Sequence, residues 1–424
     1  MIGPLSRCRG RCFNGGSIMA RRLPAKGRGS RDAVTVGCLY PLSGRAARYG
    51  SDSIQAAEMG AETINRTGGI DGREVRLLFA DDRSEPTYAV KVARRYVVED
   101  RVDFLMGVVS SAVALGVSAV SRYFGIPFVG TDHASARLSL EDFQPYYFRV
   151  TNDTQQSMRA GAIYLSSRPW ERLFYIGPDY EYGHRQYQDL REHLQRLRPD
   201  VQVVGTAWPK LYEVDYAPYI GAIVAARPDV VVHGFWGGDT IAFLEQSLPR
   251  SLFDRARVMS FDAGGNYEAF EALGHRMPLG LALSCRHHIN FPDTMANRAF
   301  VDAFWSRAHR FPSYAAHGAY VGVQFIASAL RRANSLEPDD FVAAAEGMEL
   351  VTPRDREGVT SVMRAVDHQI SQEMFIGITQ PCSIYPPAQV MLGSWEVIGA
   401  DLTLPDEEEV LRIRSEAGRS FGHP

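Results

Sequence analysis

Cysteine and long hydrophobic runs are both scarce in this chain of 424 residues. Its five cysteines are too few for the disulfide framework of a small secreted scaffold and are not spaced like a zinc site: Cys8, Cys12, Cys38, Cys285 and Cys382. No stretch approaches the roughly 18 consecutive apolar residues that a membrane-spanning helix needs. We therefore predict no metal site and no direct membrane insertion, and we leave open whether Cys285 and Cys382 pair.

The motifs of several common enzyme classes are also missing. The sequence has no Gly-rich phosphate loop with its Lys, no G-x-S-x-G elbow and no H-E-x-x-H helix. Asp132 and His133, together with Ser110, could suggest acid–base chemistry, but polar loop residues of this kind occur in most long chains. The sequence therefore predicts no enzyme, no catalytic residue and no cofactor.

Charge is distributed unevenly along the chain. Residues 1–33 carry eight Lys or Arg side chains and one acid, whereas the whole chain has a formal net charge of −3. The remaining residues therefore have a formal net charge of about −10, which predicts no basic surface for binding nucleic acid. We predict that residues 1–33 form a disordered basic tail. An exported protein adds an apolar run of about 7 to 15 residues to such a basic start, and here only the basic part is present.

Strand and helix patterns alternate along the first third of the chain. Buried strands are predicted at 34–40, 74–80, 104–106 and 127–129, and helices at 52–65, 85–99 and 111–123. The rhythm restarts after residue 150 and continues to a strand at 257–260. A strand at 279–284, helices at 295–310 and 314–333, and strands at 369–379 and 390–397 follow. This alternation predicts parallel βαβ units, because parallel strands need crossover connections.

Ligands of open α/β sheets bind beyond the carboxyl ends of the strands, so the loops that follow predicted strands supply the candidate site. In the first half these loops are 40–50, 107–111 and 131–135, and in the second half 179–183, 234–238 and 261–265. The candidate ligand-binding residues are Tyr49, Ser110, Ser111, Asp132, His133, Ala134, Ser135, Tyr182, Trp236 and Asp262.

Each candidate also has a simpler structural role. The hydroxyls of Ser110 and Ser111 suit a carboxylate at a helix start, but they also suit ordinary N-capping. Asp262 could pair with a ligand ammonium or cap the helix that follows Asn266. An aromatic side chain after a strand, such as Trp236, stacks on a ligand or packs in the core. The local pattern leaves these alternatives open.

Several motifs together resemble one protein family. They are the run 36–44 (VGCLYPLSG), the helix at 57–65 with the turn 68–73 (GGIDGR), and the pair Asp81-Asp82. With fragments at 314–333, 367–369 and 375–377, they are similar to type I periplasmic solute-binding proteins of the leucine/isoleucine/valine-binding branch, which deliver solutes to ABC importers. The resemblance covers about residues 34–397.

The resemblance implies an α/β fold of two doubly wound parallel-sheet lobes, joined by a multi-segment hinge near Val150, His287 and Met348. Lobe 1 is expected at 34–150 plus 288–348, lobe 2 at 151–287 plus 349–400, and a C-terminal extension at 401–424. The expected function is capture of an amino acid or amino-acid-like carboxylate by hinge closure, with an ABC permease as partner and a periplasmic location. The alternative is a cytoplasmic sensor of an amide-type molecule that regulates a protein partner.

The resemblance also assigns roles within the site. Ser111, with Ala134 and Ser135, matches the loops that grip a ligand carboxylate, and Tyr182 and Asp262 match the opposite side, with Asp262 as the ammonium partner. Asp132-His133 departs from the small residues usual there. This departure points to a different ligand, such as an aromatic acid, an amide or a polyamine-like molecule.

Overall fold

A computed structural model describes residues 32–418 of the protein. The predicted basic tail therefore falls outside the described residues except for its last two positions, and Cys8 and Cys12 also lie outside them. Cys38, Cys285 and Cys382 are free thiols. Within residues 32–418, no helix combines the length and the apolar character needed to cross a bilayer.

Lobe 1 contains a five-stranded, all-parallel sheet with the strand order β2-β1-β3-β4-β5. Its strands are β1 (Ala33–Tyr40), β2 (Glu74–Asp81), β3 (Phe104–Gly107), β4 (Phe128–Gly130) and β5 (Tyr147–Arg149). The crossover helices are α1 (Ala47–Arg66), α2 (Pro86–Val98) and α3 (Ser111–Phe124). Local chemistry sets the ends of these helices: Glu85 caps α2 from the residue before Pro86, and Gly125 ends α3 with a φ of 63°.

Lobe 2 contains a seven-stranded sheet with the order β15-β14-β10-β9-β8-β6-β7. Its first strands are β6 (Arg172–Ile176), β7 (Gln202–Ala207), β8 (Val230–His233), β9 (Arg257–Ser260) and β10 (Ala282–Leu283). Between them run α4 (Thr154–Ser166), α5 (Glu181–Leu197), α6 (Ala217–Ala226), α7 (Gly237–Ser247), α8 (Leu252–Arg255) and α9 (Tyr267–Leu273). These five strands pair in parallel, as the alternating pattern predicts.

The chain then returns to lobe 1 and leaves it again. Helices α10 (Met295–Ala308), α11 (Tyr314–Ala333) and α12 (Pro338–Ala345) belong to lobe 1, where α11 packs along α1. A small antiparallel sheet of β11 (Glu349–Leu350), β12 (Ser361–Met363) and β13 (Ile370–Ser371) follows. The chain finishes with β14 (Met374–Pro381) and β15 (Val390–Ile398), antiparallel additions to lobe 2, then α13 (Ala400–Thr403) and α14 (Glu407–Glu416).

Three segments connect the two lobes, at residues 150–153, 284–294 and 346–373. They contain Val150, His287 and Met348, the three positions at which the sequence predicts a hinge. The predicted strand at 279–284 is shorter, at Ala282–Leu283, and the single strand predicted at 369–379 is two strands that belong to different sheets. The two strands are separated only by Gln372 and Glu373, and this short polar break is where the chain passes from one sheet to the other.

Helix α14 lies across both lobes. The Arg414 Nη2 group donates to the Ser139 carbonyl oxygen at 2.9 Å, and its guanidinium lies 3.5 Å from the Phe143 ring centroid. On the other side, Arg159 of α4 pairs with Glu409 at 2.6 Å. The C-terminal extension therefore contacts both lobes, in addition to the three segments that connect them.

Close packing of α11 against the loop after β4 generates a stability prediction. A Cβ atom on Gly318 would lie 1.7 Å from the Thr131 carbonyl oxygen, so Gly318→Ala requires a backbone shift. We expect it to lower the free energy of unfolding by about 1–3 kcal/mol, as overpacked substitutions do. Gly221→Ala on α6 is the matched control, because nothing lies within 4 Å of its added Cβ. Urea unfolding measures both variants, and equal midpoints for Gly318→Ala and wild type would contradict this packing.

Candidate functional site

A cavity lies between the lobes where the loops that follow their strands meet. Its lining residues come from lobe 1, from lobe 2 and from the connecting segment 284–294: Val109, Ser111, Ala134, Tyr180, Tyr182, Trp236, Arg286 and Tyr314. The cavity has a volume of about 10 Å³, which is roughly enough for one water molecule. A solute the size of an amino acid therefore fits only when the lobes part or the aromatic side chains turn.

Three helices begin at this cavity without a capping side chain. Helix α3 starts at Ser111, α5 starts after Tyr180 and α7 starts after Trp236, and none of their N-cap side chains accepts a hydrogen bond from the first turn of its helix. The first N–H groups of a helix lack intrahelical partners and carry the positive end of its dipole. The cavity therefore presents helix N-termini from both lobes. Glu181 and Asp239 partly offset the positive ends of α5 and α7, whereas the first turn of α3 carries no acid and suits an anion.

Arg286 is the charged side chain of the cavity wall, and it bridges the two lobes. Its Nη1 group donates to Asp132 Oδ1 of lobe 1 at 2.7 Å, and its Nη2 group donates to Asp262 Oδ2 of lobe 2. Arg286 is 3% exposed, and both acids are fully buried. The guanidinium also lies 4.9 Å from the Tyr314 ring centroid. A cation this deep in the protein is tolerated because two carboxylates and an aromatic face compensate it.

Protein donors surround the Asp262 carboxylate. Oδ2 accepts from Arg286 and from the Tyr182 hydroxyl at 2.5 Å. Oδ1 accepts from Ser157 Oγ at 2.7 Å and from Asn152 Nδ2 at 3.1 Å. A carboxylate offers about four acceptor positions, and all of those on Asp262 are occupied. Asp262 makes no contact that caps α9, whose N-cap residue is Asn266.

Aromatic side chains line the rest of the cavity, and Tyr49 packs behind them. Tyr49 of lobe 1 meets Trp236 of lobe 2 edge to face, with 5.6 Å between ring centroids, and it also contacts the Tyr314 ring at 5.2 Å. The Trp236 indole donates to the Tyr180 hydroxyl at 3.0 Å. The Tyr49 hydroxyl donates to Glu268 of α9, which is a further contact between the lobes. These rings make the cavity apolar along one side and hydrogen-bonding at its edges.

The rim of the cleft carries ion pairs between the lobes. Arg45 pairs with Asp239 at 3.3 Å, and Arg137 pairs with Glu181 at 3.2 Å. Glu181 also accepts from Ser135 Oγ at 2.7 Å. The two arginines are each 40% exposed, so water screens their pairs and each contributes little on its own. The two lobes therefore face each other in a closed arrangement.

The structure separates the ten predicted site residues into two groups. Ser111, Ala134, Tyr182 and Trp236 line the cavity. The other six surround it without being part of its wall: Tyr49, Ser110, Asp132, His133, Ser135 and Asp262.

His133 has a structural environment. Its Nε2 atom lies 2.8 Å from the Tyr147 hydroxyl and its Nδ1 atom 3.1 Å from the Val108 carbonyl oxygen. Burial lowers the pKa of His133 well below its usual range, and the Arg149 cation lowers it further. A neutral, fully hydrogen-bonded imidazole of this kind orders the loop after β4.

Four lining residues were missed from the sequence: Val109, Tyr180, Arg286 and Tyr314. Val109 and Tyr180 lie inside loops that the sequence had already singled out. Arg286 follows strand β10, so the rule that located the other loops applies to it as well. Tyr314 opens α11, and the packing of that helix against α1, β3 and β4 of lobe 1 brings it to the cavity.

The titration of Asp132 gives a testable pH dependence. Burial raises the pKa of Asp132 to about 7, although the Arg286 cation acts in the opposite direction. An unfolded chain loses this proton near pH 3.9, so this carboxyl contributes less to stability as the pH rises from about 4 to about 7. Asp132→Asn removes the titration at similar size. We expect its free energy of unfolding, relative to wild type, to rise with pH across this window, by at most ~1.4 kcal/mol per pH unit.

Urea unfolding of wild type and Asp132→Asn at several pH values between about 4 and 8 measures this difference. Asp254→Asn on α8 is the control for loss of an exposed carboxylate. A difference between Asp132→Asn and wild type that stays constant or falls with rising pH would contradict the raised pKa.

Comparison with known proteins places this geometry in a family. The sequence profile of the periplasmic binding proteins matches residues 33–379. Leu/Ile/Val-binding protein homolog 8 of Brucella abortus (strain 2308) is 26% identical over 334 residues, which cover 75% of this chain and 81% of that protein.

Two solved structures share the fold. An amino acid ABC transporter substrate-binding protein from Pseudomonas fluorescens Pf-5 superposes with a TM-score of 0.77 at 20% identity, over 89% of this chain and 97% of that one. An ABC transporter solute-binding protein from Rhodopseudomonas palustris BisB5, in complex with 3,4-dihydroxy benzoic acid, superposes with a TM-score of 0.79 at 18% identity, over 87% and 98%. Because the matched profile includes both lobes and the cleft between them, this chain belongs to the periplasmic binding protein family, in its leucine/isoleucine/valine-binding branch.

Proposed function

We propose that the protein captures a small carboxylate-bearing solute, an amino acid or a related acid, by closing its two lobes around it. The observation that carries this proposal is the cavity between the lobes, where uncapped helix N-termini from both lobes meet the Arg286 cation. Fixed N–H donors and a buried cation together favour an anionic group. The Ser111 hydroxyl at the start of α3 is the contact that we assign to the ligand carboxylate.

Binding and closure are coupled in this proposal. A ligand that touches Ser111 of lobe 1 and Tyr182 of lobe 2 has higher affinity for the closed state than for the open one, so it shifts the population toward closure. The connecting segments 150–153, 284–294 and 346–373 are where the backbone would bend. The protein performs no covalent chemistry on the ligand, which leaves unchanged when the lobes reopen.

The names of relatives support a role in solute transport. The Pseudomonas fluorescens protein is an amino acid ABC transporter substrate-binding protein, and the Rhodopseudomonas palustris protein was solved with an aromatic acid. By analogy we propose that the present protein works in the periplasm and delivers its ligand to an ABC permease. Fractionation of the native protein tests the location. Recovery in the cytoplasm with a bound protein partner would instead support a ligand sensor.

A thermal-shift screen against amino acids, aromatic carboxylates and their amides tests ligand capture. A ligand that binds only the folded state stabilises it by about 2.7 kcal/mol at 100 times its Kd, so at least one carboxylate should raise the unfolding temperature. Small-angle X-ray scattering with that ligand should show a smaller radius of gyration than without it. If no compound of these classes shifts the unfolding temperature, the proposed function is wrong.

Two adjacent serines give a matched pair of variants. Ser111→Ala removes a hydroxyl that lines the cavity, whereas Ser110→Ala removes one that does not. A hydrogen bond to a charged group contributes about 1.5–3 kcal/mol, so we expect Ser111→Ala to weaken binding of the best carboxylate roughly 10- to 100-fold. Isothermal titration calorimetry measures the Kd of each variant. An equal loss in both variants would contradict the assignment to Ser111.

A further inference from the structure

The acid that the family resemblance assigns to a ligand ammonium is already paired inside the protein. The Asp262 carboxylate accepts hydrogen bonds from four side chains: Arg286, Tyr182, Ser157 and Asn152. A carboxylate has about four acceptor positions in total. An incoming ammonium could reach Asp262 only by displacing one of them. From the cavity side it would have to displace Arg286 or Tyr182, because these are the two of the four donors that line the cavity, and of the two only Arg286 carries the positive charge that an ammonium would replace.

The cavity itself presents a cation and no carboxylate. Of its lining residues only Arg286 is charged, and neither Asp132 nor Asp262 belongs to the wall. The Nε atom of Arg286 is buried and has no hydrogen-bond partner within the part of the chain that the structure describes, although its two Nη groups are paired. A buried N–H without an acceptor is costly, and a ligand oxygen would satisfy it.

The helix dipole of α3 acts in the same direction. A ligand ammonium in this cavity would lie near the positive end of α3, whose first turn carries no acid. Arg286 adds no net repulsion, because Asp132 and Asp262 neutralise its charge, but these two acids direct oxygens at its Nη groups and neither of them lines the cavity. Among the described residues Asp132 Oδ2 has no hydrogen-bond partner, but it too lies outside the cavity wall.

We propose that Arg286 is the specificity-determining residue of the site: its guanidinium takes the position against Asp262 that a ligand ammonium would need, so the protein selects carboxylates that carry no α-ammonium group. This inference rests on the proposed function and narrows it to one ligand class. Aliphatic and aromatic monocarboxylates belong to that class, and α-amino acids do not.

Matched ligand pairs test the inference on the wild-type protein. Leucine and 4-methylpentanoate differ by the α-ammonium group, as do phenylalanine and 3-phenylpropanoate, and benzoate serves as an aromatic acid without an amine. Titration calorimetry on the full chain should give a Kd at least 10-fold lower for the acid than for the amino acid in whichever pair binds. Equal or tighter binding of the amino acids would overturn the role of Arg286 while leaving solute capture intact. Binding of none of these probes would overturn both.

Arg286→Met tests the residue directly. Methionine keeps a long side chain but leaves Asp262 with a free acceptor position, so we expect the ratio of the two Kd values to move toward the amino acid by 10-fold or more. Arg45→Met is the control, because Arg45 pairs across the rim with Asp239 and does not line the cavity. It is expected to leave the ratio unchanged. A ratio that moves equally in both variants would overturn the assignment.

A conservative variant covers the case in which Arg286→Met does not fold. Asp262→Asn keeps the shape of the side chain and leaves Arg286 in place. If Arg286 excludes the ammonium, Asp262→Asn still prefers the acid of each pair. If Asp262 instead binds the ligand ammonium, Asp262→Asn selectively loses affinity for leucine or phenylalanine, and the inference is wrong.

Discussion

The buried guanidinium of Arg286 is the contact on which the closed site depends. It comes from a segment that connects the lobes, and it pairs with Asp132 of lobe 1 and Asp262 of lobe 2. Removing one partner of a buried ion pair leaves an uncompensated charge in a low-dielectric interior, which is strongly destabilising. The three charges therefore hold two loops and a connecting segment at fixed positions, and the shape of the cavity follows from them.

The sheet architecture explains why positive helix ends surround this network. Each lobe has parallel strands whose carboxyl ends face the cleft, and each crossover helix starts where a strand ends. Helix α3 from lobe 1 and helices α5 and α7 from lobe 2 thus begin at the same cavity. In the function that we propose, backbone geometry supplies part of the affinity for an anion, and side chains such as Ser111 and Arg286 add to it.

The contacts that hold the two lobes together differ in strength. The rim pairs of Arg45 and Arg137 are partly exposed and contribute little, whereas the aromatic contact between Tyr49 and Trp236 is buried. Helix α14 adds a link that spans both lobes at the side of the connecting segments. A motion of the lobes in this protein has to accommodate that helix as well as the three connections.

The sequence by itself determined the α/β class, the two lobes and most element positions, because strand and helix periodicities are local properties of the chain. It also located Ser111, Ala134, Tyr182 and Trp236, since loops after parallel strands lie at one edge of a sheet. Tertiary structure decided the rest. Only the packing of α11 within lobe 1 brings Tyr314 to the cavity. Only three-dimensional distances show that Arg286 occupies an acceptor position of Asp262 and pairs with Asp132, because these three residues lie in different loops and no local pattern records their charge balance.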